Sequence, residues 1–311
     1  MVTGIPPPMQ TSIESAGLRP GLWRKFVLTL EMIKFEHSIF ALPFALTGAL
    51  LAWREQGFLM EGLGGRLGWI IVAMVAARSA AMAFNRVLDA AIDARNPRTQ
   101  TRHIPAGLLS RQFGWGFTLA ASALFVFAAA MLNPLCLALS PVALGVVLFY
   151  SWTKRFTALS HLVLGLSLGI APAAAWIAMT GALDPRIIWL TAAVLLWTAG
   201  FDIIYSCQDV EFDRAAGLFS LPARLGVAHA LQLARLFHVL MIVCLAILAA
   251  VLNLGIAAAV GIGVVAGLLV YEHRLVRADD LSRVDAAFFT LNGWVSVLFF
   301  GFWAGDVLLR R

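Results

Sequence analysis

Carboxylates at helical spacing mark one segment of this 311-residue chain as a place for chemistry. Asn85, Asp89 and Asp93 follow one another at intervals of four residues, so a helix would set them on one face about 6 Å apart. Carboxylates stacked in this way repel one another unless a cation compensates their charge. Mg²⁺ prefers oxygen ligands and usually combines one or two carboxylates with waters and substrate phosphates. The pattern therefore indicates a site for Mg²⁺ and a phosphate-bearing substrate.

A second acidic segment repeats this pattern further along the chain. On one helix face it would carry Asp202, Tyr205, Asp209 and Asp213. Either segment alone is compatible with a solvated helix end whose acids pair with nearby arginines. Because both segments close hydrophobic stretches on the same predicted side of a membrane, the two together favour the metal and phosphate interpretation.

Basic residues follow the acidic segments closely. Arg98 and Arg102 come shortly after the first segment, and Lys154 and Arg155 come directly after a hydrophobic stretch that contains Tyr150. Lys and Arg stabilise the charge that develops on a diphosphate leaving group. Lys154 is one of only three lysines in the chain, so its place at a helix end points to a role in the site.

The composition places these residues in a membrane protein. Of all residues 61% are hydrophobic and 13% are charged, against about 25% charged in ordinary soluble domains, and the mean hydropathy is +0.86. This excess excludes a soluble enzyme, a secreted domain and a disordered regulator. Strongly alternating ten-residue segments are absent from the sequence, so a helical bundle is predicted rather than a barrel.

Hydrophobic stretches separated by charges or turn residues predict an all-α, polytopic membrane protein with nine spans. Their predicted limits are 38–53, 68–87, 113–132, 135–152, 160–180, 187–206, 229–252, 255–273 and 286–308. Residues 1–24 read as a polar N-terminal tail, and residues 25–311 as a single transmembrane domain. With a cytoplasmic N-terminus, 17 of the 23 Lys and Arg residues fall on the cytoplasmic side, as the positive-inside rule requires. Both acidic segments then lie on that side.

With these motifs the chain resembles the UbiA superfamily of intramembrane prenyltransferases. The resemblance extends over residues 25–308. It rests on residues 34–43, Asn85–Asp93, Arg98–Gly107, Tyr150–Arg155 and Asp202–Asp213. It implies nine helices around a central cavity and a Mg²⁺-dependent transfer of a polyprenyl group from an allylic polyprenyl diphosphate. The implied acceptor is an aromatic acid, 4-hydroxybenzoate or a hydroxylated naphthoate, in ubiquinone or menaquinone biosynthesis.

The resemblance also implies roles for individual residues. Asn85, Asp89 and Asp93 would hold one Mg²⁺ ion, and Asp209 and Asp213 a second. Arg102 and Lys154 would contact the diphosphate, with Tyr150 and Tyr205 nearby and Asp202 among the substrate-binding residues. The four motif aspartates and Lys154 are the expected catalytic residues. An arginine should hold the carboxylate of the acceptor, and Arg78, inside the second predicted span, is the candidate.

One position departs from the family pattern, and two other functions compete with the transferase. Many members have an acid after the first motif asparagine, where this chain has Arg86. A haem- or chlorophyll-type prenyltransferase of the same superfamily would need a larger cavity mouth. A cation-coupled transporter would place acids near mid-span in broken helices. The expected partners are the two substrates and the lipid bilayer of a bacterial inner membrane, and no nucleic acid is expected.

Overall fold

The structure is a computed structural model and describes residues 21–34, 40–59 and 61–310. Its regular elements are α1 (Leu22–Met32), α2 (Leu42–Glu55), α3 (Leu63–Asp93), α4 (Arg111–Leu132), α5 (Pro134–Thr153), α6 (Ser160–Thr180), α7 (Ile188–Ser206), α8 (Val210–Ala216), α9 (Leu221–Leu225), α10 (Val227–Val251), α11 (Ile256–Leu275) and α12 (Asn292–Leu309). Short 3₁₀ turns flank α7, and a π-helical turn, Ala286–Leu291, leads into α12. Within the described residues there is no strand. The all-α class is confirmed.

The helices confirm a multi-pass membrane protein. Eight helical segments of the described part are long and apolar enough to cross a membrane. They coincide with the second to ninth predicted spans. The first predicted span, 38–53, overlaps α2, which has 14 residues and follows the undescribed segment 35–39. The count of nine spans and the cytoplasmic N-terminus stay predictions, as does the division into a tail, 1–24, and a transmembrane domain, 25–311. Residues 1–20 of the polar tail lie outside the described part.

A tight turn joins α4 to α5. Asn133 alone separates α4 from α5. Its Oδ1 accepts a hydrogen bond from the backbone N–H of Cys136 at 2.9 Å and so caps α5. Its Nδ2 donates to the carbonyl of Ile177 on α6 at 2.8 Å. One polar side chain thus closes the hairpin and attaches it to the bundle.

Aromatic rings and small residues build the core between α2, α6, α7 and α12. Phe44 packs against Trp197 with ring centroids 5.0 Å apart, and against Phe299 at 4.8 Å. A Cβ atom on Gly165 of α6 would lie 2.4 Å from the carbonyl oxygen of Leu195 on α7. The two helices can therefore approach this closely only because the residue is glycine.

Helices α4 and α5 carry the face that lipid must cover. Large apolar side chains on them are exposed, among them Leu119, Phe127, Val142 and Phe149. An apolar surface of this kind on consecutive long helices is typical of contact with the bilayer.

Arg86, the residue that departs from the family pattern, attaches α1 to α3. Arg86 donates a hydrogen bond from Nε to the carbonyl of Met32, the last residue of α1, at 3.3 Å. A cation at a helix C-terminus is favourable because the last carbonyls have no partner in their own helix. Arg86 therefore holds α1 against α3 and does not line the cavity described next.

Candidate active site

A cavity of about 240 Å³ opens at one end of the bundle. It lies where α3, α5 and α7 end and where α6 begins, with α8 and the segment between α3 and α4 around it. Ten of the eleven site residues expected from the sequence line it: Asn85, Asp89, Asp93, Arg102, Tyr150, Lys154, Asp202, Tyr205, Asp209 and Asp213. The structure thus brings together both acidic segments and the basic residues between them.

The first acidic segment is the final part of α3. That helix runs through the motif without a break and ends at Asp93, shortly before Pro97. Asn85 donates from Nδ2 to Asp89 Oδ2 at 2.8 Å, and Arg155 donates to Asp89 Oδ1 at 2.9 Å. Arg102 donates to both oxygens of Asp93 at 2.8 and 2.9 Å. Each carboxylate of this segment therefore faces a guanidinium.

The second acidic segment does not form one continuous α-helix, and here the expectation of a single helix face is wrong. Asp202 and Tyr205 belong to α7, Asp209 ends a 3₁₀ turn, and Asp213 lies on α8. A 3₁₀ turn winds more tightly than an α-helix and changes the register of the side chains. The turn nevertheless leaves all four side chains on the cavity wall.

Asp209 is held from the opposite wall of the cavity. Arg98 donates from Nε to Asp209 Oδ1 at 2.9 Å and from Nη2 to Asp209 Oδ2. Asn96 donates to the same Oδ1 at 3.2 Å. Arg98 also donates to the hydroxyl of Tyr205 at 2.9 Å, and its guanidinium carbon lies 5.1 Å from the centre of that ring. Burial opposes the charge of Arg98, but the hydrogen bonds and charge of Asp209 outweigh it and raise the pKa of Arg98.

Asp213 and Lys154 form the loosest of these pairs. The two charged atoms lie 3.9 Å apart, and Asp213 is only 2% exposed. Asp213 Oδ2 is buried and accepts no hydrogen bond within the described residues. A buried carboxylate oxygen without a donor is costly, so this atom is available to a ligand that brings positive charge.

Asp202 is paired with a buried histidine that the sequence did not indicate. His161 of α6 is fully buried, and its Nδ1 lies 2.7 Å from Asp202 Oδ2. The backbone N–H of Leu221 donates to His161 Nε2 at 3.3 Å. Since Nε2 accepts, we assign the proton to Nδ1, which donates to the carboxylate. His161 thus fixes the orientation of Asp202 at the cavity wall.

The cavity suits a doubly charged metal ion with a phosphate-bearing ligand. Within the described residues no three His, Cys, Asp or Glu side chains lie close enough together to hold a metal by themselves. Mg²⁺ does not need such a cluster, because it takes one or two carboxylates and completes its shell with waters and phosphate oxygens. The donors here are oxygen atoms, and the unpartnered Oδ2 of Asp213 is one of them. The residues therefore fit Mg²⁺.

Arg78 is the one expected residue that does not line the cavity. It lies on α3 seven residues before Asn85, which is two helical turns or about 10 Å further from the cavity end. Met82 lies between them on the same face and does line the cavity. By its spacing, Arg78 thus lies on the same face of α3 as Met82 and Asn85.

Several residues of the site were missed or undervalued at the level of sequence. Asn96 and His161 were not singled out, and Phe288 at the start of the last span was read only as part of a hydrophobic stretch. The i to i+4 spacing that reveals motif aspartates has no counterpart for partners that come from another helix. Arg98 was recognised as a nearby cation, but its pairing with Asp209 depends on the fold.

The comparisons with known proteins agree with this architecture. The UbiA prenyltransferase family matches the chain over residues 41–295, and the chain belongs to this family. A 4-hydroxybenzoate octaprenyltransferase of Vibrio atlanticus is 31% identical over 242 residues, which are 75% of this chain and 83% of the relative. A 4-hydroxybenzoate solanesyltransferase of Synechocystis is 31% identical over 234 residues, 73% of this chain and 78% of the relative.

Solved structures show the same fold. A UbiA homologue from Aeropyrum pernix superimposes with a TM-score of 0.78 and 34% identity, covering 89% of this chain and 98% of the other. A UbiA homologue from Archaeoglobus fulgidus, solved with GPP and Mg²⁺, gives a TM-score of 0.66 at 19% identity and covers 90% of this chain and 99% of the other. At that identity the second likeness concerns the fold alone.

Proposed function

We propose that this protein transfers a polyprenyl group from an allylic polyprenyl diphosphate to an aromatic acid in ubiquinone or menaquinone biosynthesis. The acceptor is 4-hydroxybenzoate or a hydroxylated naphthoate. The observation that carries the proposal is a single cavity at the end of an apolar bundle, lined by two aspartate segments and by Arg98, Arg102, Lys154 and Arg155. The names of the two relatives above support the acceptor class. The protein would lie in a bacterial inner membrane with the cavity facing the cytoplasm.

The diphosphate end of the donor would bind among the charged residues. Asn85, Asp89 and Asp93 would hold one Mg²⁺, and Asp209 and Asp213 another; the A. fulgidus homologue was solved with GPP and Mg²⁺. When bound, the metal supplies positive charge that favours departure of the diphosphate. Arg102 and Lys154 would bind diphosphate oxygens, because a guanidinium and an ammonium stabilise the negative charge that grows on the leaving group.

The ion pairs of the cavity support a role of the basic residues with two partners, a carboxylate and a phosphate. Arg102 now holds Asp93, and Lys154 lies near Asp213. If a metal ion takes the carboxylate, the guanidinium or ammonium becomes free to bind phosphate. The same groups would then neutralise the cavity in both states, which avoids burying uncompensated charge.

The aromatic acceptor would bind on the side of Asp202 and Arg78. The allylic C–O bond breaks with its electron pair leaving on the diphosphate, and a ring carbon of the acceptor forms the new C–C bond. The ring proton then leaves to a carboxylate or to the released diphosphate. Asp202, oriented by His161, would interact with the phenol, and Arg78 would bind the carboxylate of the acceptor.

The two competing functions have less support. A transporter would place its acids near mid-span, whereas the acids of this cavity lie at helix ends. A porphyrin acceptor would need a wide opening, and the two relatives above are named for transfer to 4-hydroxybenzoate.

The decisive experiment is a transfer assay with purified protein in lipid nanodiscs. Mg²⁺ and a polyprenyl diphosphate are supplied with 4-hydroxybenzoate and with a dihydroxynaphthoate in parallel, and products are identified by mass spectrometry. A matched control is Arg186→Gln, which removes an arginine paired with Asp184 and Glu55 away from the cavity. We expect a prenylated acid from wild type and from this control. If folded wild-type protein prenylates neither acceptor, the proposal is wrong.

A further inference from the structure

A π-helical turn stands at the entrance of the last span. It covers Ala286–Leu291 and is followed directly by α12. A π turn inserts one extra residue, leaves a backbone carbonyl without its usual partner, and occurs frequently at functional sites. In a membrane such a carbonyl needs a partner from elsewhere in the protein. This turn therefore has to be stabilised by a side chain.

Asn292 supplies that partner from the first position of α12. Its Nδ2 donates to the carbonyls of Ala287 and Phe288 at 3.2 and 3.3 Å. The same nitrogen donates to Glu272 Oε1 of α11 at 3.0 Å, and Asn292 Oδ1 accepts from the indole of Trp197 at 2.8 Å. Asn292 is fully buried, so all four contacts lie in an apolar interior.

Glu272 is an unusual residue for this place. It is 1% exposed, and its Oε2 accepts no hydrogen bond within the described residues. Among the described residues the basic group nearest to Oε2 is His238 of α10, whose Nδ1 lies 3.8 Å from Oε2 and 3.0 Å from Nε2 of His273. A buried carboxyl group costs stability unless hydrogen bonds or opposite charges compensate it. The hydrogen bond that Glu272 accepts is the one from Asn292.

The π turn sets the position of an aromatic wall of the cavity. Phe288 lines the cavity, and its ring lies 4.2 Å from that of Tyr205, tilted by 33°. It also meets Phe201 edge-on at 5.3 Å. Tyr205 lies one helical turn after Asp202 on α7, on the same wall. The ring of Phe288 therefore flanks the part of the cavity that the proposed function gives to the aromatic acceptor.

We propose that Phe288 binds the ring of the aromatic acceptor, and that Asn292 and Glu272 are positioning residues that hold the π turn carrying it. This inference rests on the proposed function. Without the side chain of Asn292 the turn loses two hydrogen bonds and its link to α11. Phe288 would then move away from Tyr205, while the aspartates and basic residues on the other walls would keep their places.

The test compares Michaelis constants in the transfer assay, because they do not depend on the fraction of active protein. We expect Phe288→Leu and Asn292→Ala each to raise the KM for 4-hydroxybenzoate about tenfold, in the range of a stacking contact between aromatic rings. The KM for the polyprenyl diphosphate should change less than twofold. Glu272→Gln keeps an oxygen that accepts from Asn292 and should behave like wild type, whereas Glu272→Leu should behave like Asn292→Ala.

The control is Thr198→Val, which replaces a buried side chain of α7 by one of the same shape, at a hydroxyl without a hydrogen-bond partner in the described residues. It should leave both constants unchanged. An unaltered acceptor KM in Phe288→Leu overturns the inference, and this variant keeps the test valid if Asn292→Ala does not fold. Equal rises of both constants in the two Leu variants also overturn it. Inactive, folded wild-type protein would instead contradict the proposed function.

Discussion

The pairing of His161 with Asp202 leads to a prediction that separates positioning from stability. His161 makes two hydrogen bonds with two different atoms: Nδ1 donates to Asp202, and Nε2 accepts from the N–H of Leu221. His161→Leu removes both. In general the amide nitrogen of Asn can take the place of Nδ1, and the amide oxygen of Gln that of Nε2. His161→Asn therefore keeps the first bond, and His161→Gln keeps the second.

The expected magnitude follows from the kinds of bond that are lost. A hydrogen bond to a charged group contributes about 1.5–3 kcal/mol. At about 1.4 kcal/mol for each factor of ten, loss of the bond to Asp202 should lower kcat/KM by about ten- to a hundredfold. His161→Leu and His161→Gln should both show this loss. His161→Asn should stay within about threefold of wild type, although the N–H of Leu221 loses its acceptor.

The assay measures kcat/KM for the acceptor at saturating donor, together with thermal unfolding of each variant in detergent. If His161 were only structural, activity would follow stability, and His161→Gln and His161→Asn would lose activity according to their unfolding temperatures. The reasoning is refuted if His161→Leu retains activity within twofold of wild type, or if His161→Asn is as inactive as His161→Leu.

Three further predictions concern other parts of the molecule. Arg98→Gln should lower kcat/KM at least tenfold, because Asp209 loses two charged hydrogen bonds; unchanged steady-state kinetics would contradict this role. Arg78→Leu should raise the acceptor KM at least tenfold and leave the donor KM within twofold; equal changes in both constants would remove Arg78 from the acceptor site. Asp306→Ala should lower the unfolding temperature by a few degrees at unchanged kcat/KM, because Asp306 caps α11 through the N–H of Gly255 at 2.7 Å; an unaltered melting curve would count against this.

The long helices could be predicted from the sequence because lipid imposes a simple rule on them. A backbone that crosses a bilayer must satisfy its own hydrogen bonds, so each hydrophobic stretch of sufficient length becomes a helix. The predicted span 160–180 coincides with α6 to the residue. The second span was predicted to end at residue 87, and α3 continues beyond that limit through the motif to Asp93, as the helical spacing of the motif predicted.

The short elements could not be predicted because tertiary contacts decide them. Helix α1 was not expected. Arg86 of α3 donates a hydrogen bond to the carbonyl of Met32, the last residue of α1. The 3₁₀ turn that ends at Asp209 is bound by Arg98 from the segment between α3 and α4, and the π turn is bound by Asn292, the first residue of α12. Such contacts leave no periodic signal in the chain.

The acidic residues of the site were visible for the opposite reason. Charges are rare in this sequence, and a carboxylate near a membrane border is costly, so Asp89 and Asp209 at helical spacing carry information by themselves. The spacing could not predict which basic side chain pairs with each carboxylate. The fold opposes Asp89 to Arg155 and Asp209 to Arg98, and Asp202 to a histidine on a neighbouring helix.

The central claim is that the two aspartate segments hold Mg²⁺ for a diphosphate. The most direct measurement is isothermal titration of the protein in nanodiscs with a non-reactive thio-analogue of geranyl diphosphate, with Mg²⁺ and with EDTA. The account predicts tight binding by wild type in Mg²⁺, loss of at least a hundredfold in affinity in EDTA, and a similar loss in Mg²⁺ for the Asp89→Asn, Asp209→Asn double variant. Equal affinity with and without Mg²⁺, or in the double variant, would contradict it.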